Sequence, residues 1–208
     1  MKAYIKETIN FYDQNVEEYI QKTIKLQDDE WLNKFSAHLP EKAKVLDVGC
    51  GFGRDTNLFT LKKYDAYGID LSLRMIEKAK DFSPASKFQV MDMLKLEFEA
   101  GYFDGIWCSA ALLHLSKEDA KGAIGEIKRV LKKNGLLYLN LKEGEGEKHI
   151  IDERYKNAKK FYAYYTEDEI KALLSGFGFE IVDFKLERNP QEEYKNTGII
   201  FLIAKNKL

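Results

Sequence analysis

The 208-residue chain holds only two cysteines, no apolar run long enough to cross a bilayer, and no excess of either charge. Cys50 and Cys108 lack the paired spacing of a disulfide framework or a zinc site, so no metal ligation is expected. Both thiols should stay reduced, as in the cytoplasm. The longest apolar run, Ile199 to Ala204, falls far short of the roughly 20 residues that a membrane helix needs. The N-terminal stretch MKAYIKETINFYDQN has no continuous apolar core of the kind found in a secretion signal. Lys plus Arg number 33 against 34 Asp plus Glu, which gives no global attraction to nucleic-acid phosphates or anionic lipid. No internal repeat or low-complexity tract is evident. Nothing in the composition fixes an oligomeric state.

What remains is enough apolar material, 45% of residues, for one sizeable core. Ile5, Ile9, Tyr12, Val16, Tyr19 and Ile20 recur at spacings of three and four, which predicts an amphipathic helix over 1–28, broken near Asp13. Short apolar runs then alternate with helical stretches: Lys44 to Val48, Ala66 to Ile69, Phe88 to Met91, Gly105 to Cys108 and Leu136 to Leu141. Strand alternating with helix predicts a parallel sheet. A helix opening at Ser116, with Asp119 three residues on, is expected to end at Lys133-Asn134-Gly135. Another opens with Thr166 and Glu169 and stops at Gly176 to Gly178. Phe179 to Leu186 and Gly198 to Ala204, flanking a polar stretch with Asn189, Pro190 and Asn196, fit an antiparallel pair. Lys142 to Tyr165 reads as a long charged loop on the substrate side. The organisation expected is a single domain over 1–208: a helical cap (1–40), a core (41–142), the loop (143–165), and a terminal helix with a strand pair (166–208).

Val45-Leu46-Asp47-Val48-Gly49-Cys50-Gly51-Phe52-Gly53-Arg54-Asp55 is a strand entering a glycine-rich turn and then a helix, a geometry that lets backbone approach a ligand closely. A dinucleotide fingerprint requires glycine at relative positions one, three and six; here the sixth is Arg54, so a nicotinamide dinucleotide is disfavoured. Asp70, 19 positions after Gly51, ends the next strand, where its carboxylate can accept hydrogen bonds from two ribose hydroxyls. Ser72 then caps a helix whose inner face is Met75, Ile76 and Ala79.

With these features the chain resembles the class I S-adenosylmethionine-dependent methyltransferases, whose glycine motif Asp-x-Gly-x-Gly-x-Gly is matched by Asp47 to Gly53. The resemblance runs from about Phe11 to Lys205 and includes Gln89 to Met93, Phe103 to Trp107, Leu112-Leu113-His114 and Tyr164 to Glu169. A Gly-Arg-Asp turn and the segment Lys142 to Glu147 are similar to small bacterial members. The resemblance implies a Rossmann-like, doubly wound α/β fold with a mostly parallel seven-stranded sheet, an antiparallel last strand and an N-terminal helical cap. It implies S-adenosylmethionine as cofactor, with Asp92 on the adenine amine, Met93 on a ring nitrogen, and Asp47 and Gly49 at the methionine end. Gly51, Gly53, Arg54, Asp70, Leu71 and Ser109 complete the expected cofactor set.

Methyl transfer from a sulfonium is an in-line displacement, in which alignment contributes roughly 7–11 kcal/mol and a general base about 10²–10⁴-fold. His114, after the fourth strand, is the candidate base; its alternative is a backbone-bonded loop histidine. Tyr12 and Tyr19, seven residues apart on one helical face, and Tyr165 are candidate substrate contacts, or else packing aromatics. Arg54 would hold a carboxylate or form a surface salt bridge. The leading expectation is a methyltransferase acting on a small-molecule acceptor. Its alternatives are an RNA- or protein-modifying enzyme that works with a partner, and a non-catalytic S-adenosylmethionine sensor.

Overall fold

The computed structural model describes residues 1–26, 29–152, 155, 158–188 and 198–207. Two helices, α1 (Ala3–Gln14) and α2 (Val16–Thr23), open the chain and are followed by α3 (Asp29–Ala37). The core alternates β1 (Lys44–Val48), α4 (Arg54–Leu61), β2 (Asp65–Asp70), α5 (Leu73–Phe82), β3 (Lys87–Val90) and β4 (Phe103–Ser109). It continues through a short 3₁₀ turn (Leu112–His114), α6 (Lys117–Val130) and β5 (Leu131–Lys142). A hairpin of β6 (Glu147–Asp152) and β7 (Ala158–Ala163) precedes α7 (Glu167–Gly176), β8 (Phe179–Glu187) and β9 (Ile199–Asn206).

Seven strands form one sheet in the order β3-β2-β1-β4-β5-β9-β8. Its pairings are parallel except for β9, which runs antiparallel to both β5 and β8. This is the expected Rossmann-like arrangement. The central strands are buried on both faces, as parallel strands flanked by helices must be. One face packs Trp31, Phe35 and Phe59 of α3 and α4 on Trp107 and Tyr138; the other packs Ile124 and Ile127 of α6 and Ile170 and Leu174 of α7. Trp107 stacks on Tyr138 at 3.6 Å between ring centroids, a cross-strand pair of the sort that adds about 0.5–1.5 kcal/mol beyond its buried area. The winding direction reverses between β1 and β4, and a doubly wound sheet opens its ligand crevice at the carboxyl ends of the strands on either side of such a reversal.

Local sequence explains the element ends. The Ser72, Ser116 and Thr166 side chains accept from the backbone N–H three residues on, and Glu169 completes a capping box with Thr166. Three expectations are corrected. The N-terminal helix breaks at Asn15 instead of Asp13, its side-chain amide donating back to the Phe11 carbonyl. The helix opened by Ser116 ends at Val130, not at Lys133-Asn134-Gly135, because Leu131 is already buried and paired with Phe103. Asn134, at φ 63°, is instead part of an exposed excursion inside β5. The segment read as a loop from Lys142 to Tyr165 contains the β6–β7 hairpin, whose tip residue Tyr155 packs on Phe11 and Tyr19. The polar stretch with Asn189, Pro190 and Asn196 lies outside the described residues.

Candidate active site

The glycine turn after β1 has Gly49, Gly51 and Gly53 at φ 73°, 54° and 80°, a left-handed conformation that glycine adopts without penalty. The three glycines serve different ends. A Cβ on Gly49 would stand 2.3 Å from the Ala111 Cβ, and one on Gly53 would meet the Phe88 ring at 2.7 Å, so these two permit packing. At Gly51 the nearest atom to an added Cβ among the described residues is Tyr19 Cε1 at 3.9 Å, which leaves that side of the turn open to a ligand.

Above the turn lies a cleft of about 800 Å³ counted out to its mouth. Its lining includes Asp70, Leu71, Asp92 and Met93, the turn glycines Gly49 and Gly51, and Ser109. Asp70 accepts the Gly51 N–H at 3.0 Å on one oxygen and the Ser72 N–H at 2.8 Å on the other, so the carboxylate is aimed before any ligand arrives. Burial raises its pKa; the backbone donors oppose that shift. Asp92 accepts from Leu94 N at 2.9 Å.

A second cavity adjoins the first, sharing Tyr19, Gly49, Gly51, Ser109 and Ala110 with it, and is lined further by Asp47, Arg54, Asp55 and Asn140. Asp47 is 3% exposed and accepts only the Thr56 hydroxyl, at 2.6 Å, among its described contacts. Burial, with the neighbouring Asp55 charge, pushes its pKa up to about 8. Arg54 is half-buried: it donates to both Asp55 oxygens at 2.7 and 3.2 Å and to the Thr23 carbonyl at 3.0 Å. Trp107 Nε1 donates to Asp55 at 3.0 Å, so both partners of this ion pair are fixed in place.

The N-terminal helices roof the first cavity with Ile5, Thr8, Ile9, Tyr12 and Tyr19. They are latched at both ends. Tyr4 and Lys2 bond Asp119 near the start of α6, while Ser72 Oγ donates to Asp13 at 2.5 Å and Arg74 donates to the Asp13 carbonyl at 2.7 Å. Under the roof, the Tyr12 hydroxyl lies 2.8 Å from His114 Nε2, and His114 Nδ1 lies 3.0 Å from the Phe161 carbonyl of β7. A carbonyl can only accept, so Nδ1 carries the proton and Nε2 accepts from Tyr12. Burial holds the His114 pKa down to about 3, with Lys160 and Lys142 adding to the effect, so the imidazole is neutral at physiological pH. Burial pushes Tyr19 up to about 12, and Tyr12 well above its ordinary value.

The sequence-predicted residues Tyr12, Tyr19, Asp70, Leu71, Asp92, Met93, Ser109 and His114 therefore meet in one cleft, and Asp47 and Arg54 line its neighbour. Gly53 packs against Phe88 and lines neither cavity. Tyr165 also lines neither; it is buried in the core, its hydroxyl has no partner among the described residues, and burial raises its pKa. Sequence reasoning missed Thr56, Asn140 and the Phe161 carbonyl. Asn140 was findable, as the single polar residue in an apolar run at the carboxyl end of a central strand. A backbone acceptor carries no signal in sequence.

Residues 46–139 match the family model described as a methyltransferase domain. YqeM of Bacillus subtilis, which carries a methyltransferase name, is 32% identical over 118 residues, 54% of this chain and 48% of that protein. The 2-methyl-6-phytyl-1,4-hydroquinone methyltransferase of Synechocystis is 35% identical over 104 residues, 48% of this chain and 32% of that protein. The chain thus spans a third to a half of the length of these curated relatives. In fold it is similar to a SAM-dependent methyltransferase from Methanosarcina mazei, with TM-score 0.74 and 24% identity over 83% of this chain and 96% of the other. Residues 46–139 thus match a methyltransferase domain, and the chain shares its fold with a SAM-dependent methyltransferase.

Proposed function

We propose that the chain methylates a small-molecule acceptor from S-adenosylmethionine, and that Asp70 and Asp92 hold the nucleoside while Tyr12 and His114 face the acceptor. The observation carrying this reading is the cleft itself, which joins two carboxylates on consecutive strand ends to a tyrosine–histidine pair under one roof. The residues present suit the cofactor. Gly51 leaves room for it, and the donor-poor, buried Asp47 is a counter-charge for an ammonium. Arg54 supplies a guanidinium for a carboxylate. When bound, S-adenosylmethionine supplies an electrophilic methyl on a sulfonium.

The chain's own groups align and desolvate the acceptor. Methylating an X–H group leaves one proton; the X–H donates to the Tyr12 oxygen while Tyr12 donates to the neutral His114 Nε2, so the pair orients the nucleophile and the proton departs to solvent. Phe161 fixes the tautomer in which His114 Nε2 accepts from Tyr12. The hydroquinone acceptor in the Synechocystis relative's name and the near-neutral charge support a small acceptor over a polyanion. Among the described residues no helix is long and apolar enough to cross a membrane. Free, buried Cys50 and Cys108 suit a reducing cytoplasm. We read the chain as one domain, with 1–40 as cap, 41–142 as cofactor core, 143–165 as the substrate-side hairpin segment and 166–208 completing the sheet.

Calorimetry with S-adenosylhomocysteine tests the cofactor half: binding is expected, and failure to bind at millimolar concentration overturns it. Release of S-adenosylhomocysteine during incubation with small-molecule candidates tests the chemistry.

A further inference from the structure

The two cavities differ in charge. Among the described residues five acidic or basic side chains, Glu30, Asp47, Arg54, Asp55 and Glu187, line the second. In the first, the charged lining residues are Asp70 and Asp92. The part of its lining contributed by α1 and the turn after β4, Ile5, Thr8, Ile9, Tyr12, His114 and Leu115, carries no side chain that is charged at neutral pH. Its polar groups are already engaged with protein: the Thr8 hydroxyl donates to the Tyr4 carbonyl, and Tyr12 pairs with His114. Lys142 and Lys160 sit against the Tyr162 ring and do not line the cavity; Lys160 is 2.8 Å from Asp152.

From this asymmetry we infer that the acceptor is an uncharged, largely apolar small molecule that presents a single hydrogen-bonding nucleophile, a hydroxyl, thiol or ring N–H, to the Tyr12 oxygen. A carboxylate or phosphate on the acceptor would be stripped of water beneath α1 with no cation on the wall to replace it, and an ammonium would find there no carboxylate other than Asp70 and Asp92, which the nucleoside engages. An apolar ring or chain gains by the same desolvation. One polar atom suffices to orient it, because the Tyr12 oxygen keeps lone pairs to accept a hydrogen bond while its proton points to His114. The charge in the second cavity suits the zwitterionic end of the cofactor, so the adjoining cavities would divide the ligands by polarity. The inference rests on reading the cleft as the cofactor site.

The test uses the full chain with S-adenosylmethionine and matched acceptor sets: a neutral phenol, thiophenol and imidazole, each also bearing a carboxylate or an aminomethyl group. Thermal shifts with S-adenosylhomocysteine present report binding, and S-adenosylhomocysteine release reports turnover. Neutral members should bind and turn over, with the charged counterparts lower in kcat/KM by about a hundredfold or more. Ile9→Lys, which places a cation on the chamber wall, should raise the carboxylate members relative to the neutral ones. Preference for charged members, turnover confined to RNA or protein acceptors, or no acceptor binding while S-adenosylhomocysteine still binds, each overturns the inference and leaves the cofactor reading intact. Absence of S-adenosylhomocysteine binding to the wild-type chain overturns both.

Discussion

Gly51 donates its backbone N–H to Asp70 across 19 positions of sequence, at 3.0 Å, and so ties the glycine turn of the first strand to the acid that ends the second. Ser72 occupies the other carboxylate oxygen from the following turn. Asp70→Asn keeps the shape but sets an NH₂ against one of these two N–H groups and leaves one acceptor oxygen where there were two. Hydrogen bonds to a charged group are worth about 1.5–3 kcal/mol, so S-adenosylhomocysteine should bind roughly ten- to a hundredfold more weakly by calorimetry. Equal affinity in wild type and variant would remove Asp70 from the nucleoside site.

Gly49 and Gly51 should fail differently when given a methyl. Gly49→Ala drives a Cβ to 2.3 Å from Ala111, an overpacking that costs about 1–3 kcal/mol in addition to left-handed backbone strain. For a chain of this size each kcal/mol lowers Tm by about 2–4 °C, so the melting temperature should fall clearly. Gly51→Ala meets only Tyr19, at 3.9 Å, and intrudes on the cleft; its loss should appear mainly in cofactor affinity. Melting curves and calorimetry on both variants separate the two roles, and a Gly51→Ala protein with wild-type affinity would argue that the cofactor does not cross that turn.

The fold was legible because its signals are local: three helix starts declare themselves in Ser72, Ser116 and Thr166, and four buried strands and the more exposed β3 in their apolar runs. Asp70 was legible because it ends such a run, whereas Asp92 was legible only from the family resemblance of Gln89 to Met93. The β6–β7 hairpin was not, since Glu147 to Asp152 is an exposed, charge-rich strand without clean alternation. Nor was the end of α6, where Lys133-Asn134-Gly135 has the chemistry of a helix stop but sits inside β5; pairing of Leu131 with Phe103 outweighed it. The Tyr12–His114 bond joins residues 102 positions apart and depends on a carbonyl from the hairpin. No periodicity reports such a contact.

His114 ties stability to acid. Its folded pKa, near 3, lies below the ordinary value of 6.5, so between those limits the unfolded chain takes up a proton that the native state refuses. The associated stability is whole above pH 6.5 and drains away as pH falls toward 3. His114→Gln should flatten the fall in Tm over that window and, on the proposed function, reduce turnover more than cofactor affinity, since His114 bonds Tyr12 beneath the roof. An unchanged pH–Tm curve would mean that the imidazole is hydrated in the native protein.

Asp47 carries the opposite sign. Its carboxyl titrates near 8 in the cofactor-free protein, well above the ordinary 3.8, so folding takes up a proton, and stability is lost as pH rises from 3.8 through 8. Asp47→Asn removes that loss and should raise the Tm of the free protein at pH 8. An ammonium docked against the carboxylate favours the ionised form, lowers its pKa and expels the proton. Below pH 8, S-adenosylhomocysteine binding should therefore release protons, and its affinity should climb with pH until it levels near 8. Calorimetry at pH 7 in buffers of differing ionisation enthalpy counts the protons directly. Wild type should release them and Asp47→Asn should release fewer while binding more weakly; equal release from both would place the ammonium elsewhere, and uptake would reverse the assigned charge of the site.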